Sequence, residues 1–313
     1  MAETAPQIEI IEYDACDLLK MDFPEPCWAV PTILPVGVNL LGGKPKCGKS
    51  ILCVNLGIAI ANGSLALGKY EVEEGKVLYL ALEDHPRRLK NRLLTMLAAD
   101  ELLKHNFKLY PQFPRMHKGG LEGLHDRLNT HPETRLLIID TLARFRPPRT
   151  KGSDSYDFDY QVISQIKEVV DEHDTSCLII HHLRKLESKD RFDDISGTLG
   201  LTGAADSSLL LIRTSGQADG ELKITGRDVD EASYAMKFDR QYLSWNVIGH
   251  AEEVAKTDKQ QIIIDVIKSD SHALRLKEIA EATGLDYQYV ANTCSKLIKQ
   301  GKIIKTEYGF YDI

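Results

Sequence analysis

At 313 residues the chain has room for one large domain and a small second one, and its 43% hydrophobic content is ordinary for a globular protein. The net charge of −7 excludes a chain-wide polycation, so any nucleic-acid surface has to be a local patch. Six cysteines (Cys16, Cys27, Cys47, Cys53, Cys177, Cys294) are scattered with no C-x-x-C pair, which argues against a disulfide or zinc framework and reads as reduced thiols in a cytoplasmic protein.

The first residues are acidic and polar, unlike a signal peptide. Residues 1–30 read as an irregular N-terminal arm, because Pro24, Pro26 and Pro31 limit helix formation. The region around Trp28 is expected to pack against the core or a neighbouring subunit. An apolar run, Gly37 to Leu41, then reads as a buried strand. It feeds Gly43-Lys44-Pro45-Lys46-Cys47-Gly48-Lys49-Ser50, which fits G-x-x-x-x-G-K-[ST]. A helical pattern follows from Ile51 to Ala61. Strand, glycine loop and helix in this order form a phosphate cradle. Glycines let main-chain N–H groups turn inward, and the helix N-terminus adds its positive end. Residues 43–51, Ile51 included, are the predicted nucleotide contacts. Lys49 is expected to reach the β- and γ-phosphates of ATP, and the Ser50 hydroxyl to ligate Mg²⁺. The Ile51–Ala61 stretch is the longest apolar one. It is too short to span a bilayer and contains Asn55, so no membrane is expected as a partner.

Strands and helices then alternate to about residue 248. Val77–Leu82 is a buried strand, Pro86–Ala99 a helix, Leu136–Ile139 a strand and Tyr160–Glu172 a helix. Cys177–Ile180 and Ser208–Ile212 are further strands, and Glu221–Ile224 and Ala235–Phe238 look like antiparallel additions at one edge. Near-continuous apolar strands separated by helices indicate an α/β fold with a mainly parallel sheet covered on both faces. Polar groups at the carboxyl ends of such strands are where a nucleotide site forms. Glu83 follows the second strand and could polarise an attacking water. Asp84 beside it reads as an N-cap for the helix that Pro86 opens. Asp140 ends the strand Leu136–Ile139 and has the form of a Walker B acid that organises Mg²⁺. His181 and His182 end the next strand. Adjacent histidines point in different directions and chelate poorly, so no metal site is assigned to them.

His250–Gln260 is polar and charged, and reads as a linker. After it, Gln261–Ser269 is helical, Leu276–Thr283 is a short helix ending at Gly284, and Asp286 caps a helix from Tyr287 to Gln300. Lys302–Lys305 and Gly309–Ile313 fit a small hairpin. Three helices and a hairpin in this order predict a C-terminal winged helix-turn-helix over 261–313.

The phosphate loop, Leu-Glu-Asp at 82–84, Ile-Asp-Thr at 139–141, His-His-Leu-Arg-Lys at 181–185 and Ser-Gly-Thr…Thr-Gly-Ala-Ala-Asp at 196–206 together resemble the RecA-like P-loop ATPases. More narrowly, they look like the branch containing the RepA-type hexameric plasmid replicative helicases, often seen in prophages and mobile elements. The resemblance covers roughly residues 30–245, within an ATPase domain taken as 31–249. It implies a RecA fold with ATP and Mg²⁺ bound between subunits of a homo-oligomer, a hexamer. Glu83 becomes the general base and Asp140 the Mg²⁺-organising acid. His182 is the γ-phosphate-sensing residue, with His181 second to it. Arg92 matches a position that stacks on adenine. An arginine finger acting in trans is expected on the late strands. There the best-aligned residue, Lys223, is not an arginine, with Arg227 and Arg213 nearby. Arg227 is favoured, with Lys223 assisting.

Two loops are expected to line the channel of such a ring and grip single-stranded DNA: the basic Arg144–Lys151, with its one aromatic Phe145, and the long Leu183–Gly203. Asp154, Asp157 and Asp159 dilute the first. In the C-terminal module Tyr287, Gln288, Asn292, Lys296 and Lys299 are candidates for duplex DNA contact, though nine Lys/Arg oppose eight Asp/Glu from Ala255 on. The leading expectation is an ATP-hydrolysing motor acting on DNA, replicative-helicase-like, with strand separation open to it. The alternative is an ATP-dependent DNA-binding regulator or helicase loader that does not unwind. A small-molecule kinase on the same loop ranks third.

Overall fold

A computed structural model of the chain describes residues 12–22, 27–97, 102–149, 152, 154–182, 199–214, 218–270, 272–306 and 308–312. Its centre is a nine-stranded sheet. In chain order its strands are β1 (Gly37–Gly42), β2 (Lys76–Ala81), β3 (Phe107–Tyr110), β4 (Thr134–Asp140), β5 (Ser176–Ile180), β6 (Ser207–Arg213), β7 (Gly220–Gly226), β8 (Ala232–Asp239) and β9 (Ser244–His250). Across the sheet they run β3-β2-β4-β5-β1-β6-β7-β8-β9. The pairings from β3 to β6 are all parallel, and β6 to β9 is an antiparallel meander. β1 and β5 therefore sit inside the sheet, buried on both faces, which is why their sequences read as unbroken apolar runs.

The two-residue strand period sorts these side chains into two layers. Leu41, Tyr79, Leu136, Ile138, Leu178 and Ile180 face one core with α1 (Lys49–Asn62) and α2 (Pro86–Met96). Val38, Leu40, Leu78, Leu80, Leu137, Ile139 and Ile179 face the other, with α3 (Gly120–Thr130), α4 (Ser155–Asp171) and α5 (Leu199–Ala204). The register between neighbours aligns the strand ends. Leu80 pairs with Ile139, Ile139 with Ile179, and Ile180 with Leu41. Everything that follows β1, β2, β4 and β5 thus emerges on one edge of the sheet.

The opposite edge is pinned by polar contacts. The Asp206 carboxylate accepts from Val38 N at 2.8 Å and from the Lys167 ammonium at 2.6 Å. Buried Asn39 donates to the carbonyls of Pro35 and Gly37, both at 3.0 Å, and accepts from the Ser207 hydroxyl. The start of β1 is therefore fixed laterally before the strand reaches its loop. Trp28–Val30 pairs with Leu34–Pro35, and Ala29 and Val30 are buried in the first core, so this part of the arm packs on its own chain.

Several expectations change. α4 begins at Ser155, five residues early, because the Asp154 side chain accepts from Tyr156 N and Asp157 N as its N-cap. The strands β3 and β9 and the helix α3 were not foreseen; Phe107, Leu109, Val247 and their neighbours are half-buried and alternate weakly. The polar stretch after His250 is helical from Ala251. It forms one helix, α6 (Ala251–Ser269), with Gln261–Ser269 as its second half. It contains no Gly or Pro to stop it, and Glu252 and Glu253 favour its first turn. Residues 183–198 of the long loop lie outside the described residues, and its last residues are helical, in α5.

The C-terminal helices α7 (Leu276–Thr283) and α8 (Tyr287–Lys299) and the short antiparallel pair Ile304–Lys305 with Tyr311–Asp312 follow the expected order. They close a separate apolar cluster of Ile263, Ile267, Ile279, Val290, Cys294, Leu297, Ile303 and Tyr311. Asp286 caps α8 through Tyr289 N at 2.9 Å, and the Glu278 carboxylate accepts from Arg275 N at 2.7 Å.

One side chain couples the meander to α1. Asn55 donates to Leu243 O at 3.1 Å and accepts from Trp245 N at 3.0 Å, spanning the turn between β8 and β9. Asn55→Ala removes both bonds and leaves two half-buried main-chain groups unpaired. It should cost about 2 kcal/mol, read as a lower denaturant midpoint at unchanged slope.

Candidate functional site

The phosphate loop leaves β1 at the edge where the parallel strands end. Gly43, Cys47 and Lys49 are buried, while Lys44, Pro45 and Lys46 are exposed. Gly48 precedes α1 at φ 107°, in the left-handed region, and a Cβ there would stand 2.9 Å from Trp245 Nε1. Only glycine fits on both counts. At Gly43 the obstacle is main chain, since a Cβ would lie 2.7 Å from Leu211 O. The loop is thus pressed between β6 and Trp245, with the first N–H groups of α1 at its end.

Lys49 is only 4% exposed. Its ammonium donates to Gly43 O at 2.7 Å and to Lys44 O at 3.0 Å, so it lies along the inside of the loop. Burial lowers its pKa, and the nearby Cys47 and Asp140 oppose that shift. Asp140 is 3% exposed at the end of β4. Burial raises its pKa, while hydrogen bonds from the Ser50 and Tyr79 hydroxyls pull it back. The Tyr79 bond is 2.8 Å long. Ser50 and Asp140 therefore form one hydroxyl–carboxylate unit. Its oxygens are the donor type that Mg²⁺ takes, and with the adjacent buried ammonium they fit a Mg²⁺-bound nucleotide phosphate.

Glu83, at the end of β2, reaches the same edge. Its Oε1 accepts from the Thr141 hydroxyl at 3.1 Å and lies 3.8 Å from Arg144 Nε. Its Oε2 lies 3.6 Å from His182 Nε2. Glu83, Asp140 (through its neighbour Thr141) and His182 are therefore brought together from three strands. His182 Nδ1 is buried with no hydrogen-bond partner among the described residues. The main-chain N–H of His181 bonds to Leu41 O at 3.0 Å, which ties the end of β5 to β1.

Asp84 is not the cap of α2. His85 holds that position, its Nδ1 accepting from Arg87 N at 3.3 Å. Asp84 instead accepts from Arg88 at 3.0 Å and from Arg92. Arg92 is thus held by a carboxylate on one wall of a groove of about 560 Å³, lined by His85, Arg87, Arg88, Asn91, Thr95 and Leu243. The groove therefore lies between α2 and the turn between β8 and β9, whose Leu243 is the residue that Asn55 ties to α1.

Arg227 is not near this edge. It follows β7, whose Gly226 pairs with Ser207 at the start of β6, and its N–H bonds to Asp206 O. Its guanidinium donates to Gly203 O at 3.1 Å. Ser207 pairs with Asn39, four residues before Gly43, or roughly 13 Å along the strand. Lys223 lies 3.8 Å from Glu221. Arg213, at the far end of β6, stacks over Trp245 and Phe238 at 4.6 and 5.0 Å.

The basic loop after β4 is changed most. Phe145 is fully buried in the second core and cannot stack on a base. Arg146 pairs with Asp159 at 2.9 Å, and Arg144 faces Glu83. Thr150 and Lys151 lie outside the described residues. Tyr79, Thr141, Leu243 and Trp245 belong to the site without having been singled out. Tyr79 alone carried a signal: a tyrosine in an otherwise aliphatic buried strand needs a partner for its hydroxyl. Among the described residues no helix is long and apolar enough to cross a membrane, and all six cysteines are free.

Because burial disfavours the charged form of Asp140, its carboxylate destabilises the fold above the carboxylate range. The effect disappears as pH falls below the unfolded value of 3.8. Asp140→Asn should therefore stabilise the protein by about 1 kcal/mol at pH 7, seen as a higher Tm. The gain should vanish near pH 3, where both forms are neutral.

The fold is shared with known proteins. One solved structure, described as an ATPase domain, superposes with a TM-score of 0.54 at 14% identity, over 67% of this chain and 84% of that one. A DnaB-like replicative helicase, described together with its interactions with primase, gives a TM-score of 0.54 at 14% identity, over 67% of this chain and 57% of that one. The chain thus spans little more than half the helicase's length. At such identity the likeness is one of fold, a RecA-like P-loop core. A family described as "AAA domain" matches residues 4–188, well over half of the sequence. The chain belongs to that AAA-domain family.

Proposed function

We propose that this chain is an ATPase protomer of a homo-oligomeric ring, a hexamer of RepA type, that moves on DNA in the manner of a replicative helicase. The reading rests above all on the convergence of Lys49, Ser50, Asp140, Glu83 and His182 at one sheet edge, while Arg227 sits at the other. In this reading the main-chain N–H groups of residues 43–51 and the Lys49 ammonium hold the triphosphate of ATP. Ser50 and Asp140 hold Mg²⁺, which supplies charge neutralisation of the phosphates. Arg92, with its groove, receives the adenine. Glu83 accepts a proton from the attacking water. The Thr141 hydroxyl and Arg144 steady one carboxylate oxygen, leaving the other toward His182. His182 passes γ-phosphate occupancy to the segment that begins at Leu183, which carries the single-stranded DNA contacts.

Arg227 cannot serve its own site from its position, and this motivates a finger acting in the next subunit's site. Arg227→Ala should lower hydrolysis by about a thousandfold and leave nucleotide affinity nearly unchanged. Mixed with Lys49→Ala chains, which keep the finger but lack a working site, it should regain activity. Failure of mixing to restore turnover, with a rate per chain independent of concentration, would overturn the ring. Glu83→Gln should bind ATP and lose turnover in the same assay.

A specific observation favours a second reading, that of an ATP-dependent DNA-binding regulator or helicase loader. The loop after β4 has its aromatic buried and two of its arginines facing carboxylates. Meanwhile α8 exposes Gln288, Asn292 and Lys296 on one stripe, with Tyr287 and Lys299 beside it. A C-terminal winged helix over 261–313 docking α8 on duplex DNA would use that stripe. Strand displacement and duplex binding measured on one preparation separate the two: processive unwinding supports the motor, and tight ATP-dependent duplex binding without it supports the regulator.

A further inference from the structure

His125 lies on α3, and Glu172 and His173 follow directly on α4, away from the nucleotide edge. One ligand atom from each of the three lies within 4.8 Å of the others. His125 Nε2 and Glu172 Oε2 are 3.1 Å apart, and the two imidazole rings meet edge to face with centroids 5.3 Å apart. We propose that His125, Glu172 and His173 form a binding site for one divalent cation of the zinc class, clamping the middle of α3 to the end of α4.

Three observations carry this. A tetrahedral zinc with bonds of about 2.0–2.1 Å holds its ligand atoms roughly 3.3 Å apart, close to the His125–Glu172 separation. The third ligand atom lies within 4.8 Å of both, within reach of a side-chain rotation. Second, His173 Nε2 is buried with no hydrogen-bond partner among the described residues. A simple His125–Glu172 ion pair leaves that nitrogen unsatisfied, whereas a buried polar atom ordinarily finds a partner. Third, the Asn129 amide nitrogen lies 2.9 Å from His125 Nδ1, one helical turn along α3. Turned over, that amide presents its oxygen to Nδ1–H and leaves the Nε2 lone pair for the cation. Such an outer partner fixes the tautomer of a metal-bound histidine.

Two imidazoles and one carboxylate select borderline ions such as Zn²⁺, Co²⁺ or Ni²⁺ over Mg²⁺, and leave a fourth position for water. His173 is joined through Asp174 and Thr175 to β5, where Ser176 pairs with Gly37 at the start of β1. The clamp therefore acts on the edge opposite the phosphate loop. It is a structural or regulatory site, independent of the ATPase reading.

The test uses the whole 313-residue chain, treated with chelator, freed of it and kept without nucleotide. Zn²⁺ titration should show one equivalent bound and a rise in Tm. Co²⁺ should give a visible d–d spectrum without a thiolate charge-transfer band. His125→Gln and His173→Gln should each weaken binding by at least about tenfold and abolish the Tm rise. Glu172→Gln, at an exposed carboxylate, provides a variant with little risk to folding and should weaken binding in the same way. ATP hydrolysis in all three should stay at the parent level. Zinc affinity unchanged in these variants, a thiolate band with Co²⁺, or no Zn²⁺-dependent change in the parent would overturn the site.

Discussion

Two opposite charges, Lys49 and Asp140, are held almost out of water at the ends of adjoining elements, and the rest of the structure has to make that tolerable. Isolated, either charge would be lost to burial. Here the ammonium has two main-chain carbonyls, the carboxylate has two hydroxyls, and each lies in the other's field. The loop supplying those carbonyls can take its shape only because Gly43 and Gly48 leave room for Leu211 O and Trp245. The site is thus a polar inclusion between two apolar layers, assembled at the one place where parallel strands end together.

That inclusion is held from the side by the antiparallel meander. β6 lies directly beside β1, and Trp245 on β9 lies against Gly48. Asn55 bonds the turn between β8 and β9 back to the helix of the phosphate loop. A change at the loop is therefore felt first in β6–β9. Those are the strands that carry Arg213 at one end and Arg227 at the other. Parallel strands position the chemistry of a single chain, and antiparallel ones extend the sheet toward whatever lies beyond its edge.

Charge placement separates the surfaces. α2 presents Arg88 and Arg92 but ties both to Asp84, so that wall of the groove is set by an ion-pair network. The loop after β4 uses its arginines in the same way, toward Asp159 and Glu83. On α8 the polar stripe faces outward, opposite Val290, Cys294 and Leu297.

The parallel core and its phosphate loop were legible from the order of residues. Buried strands announce themselves as apolar runs, and a glycine loop between strand and helix has one physical use. Glu83, Asp140 and His182 were legible too, because polar residues directly after such runs fall at strand ends. Caps and glycines marked α7, α8 and the last hairpin. Long-range packing, by contrast, set where laterally committed side chains go. Phe145 entered the core and Arg92 went to Asp84, while Tyr79 and Trp245 joined the site through partners dozens to nearly two hundred residues away. Weakly alternating edge strands and a polar helix after His250 were equally invisible, since neither local period nor composition records which neighbour will cover one face. Strand order is likewise a long-range fact: Glu221–Ile224 read as an antiparallel addition, but only the pairing of β6 with both β1 and β7 puts Arg227 at the end of the sheet far from the phosphate loop.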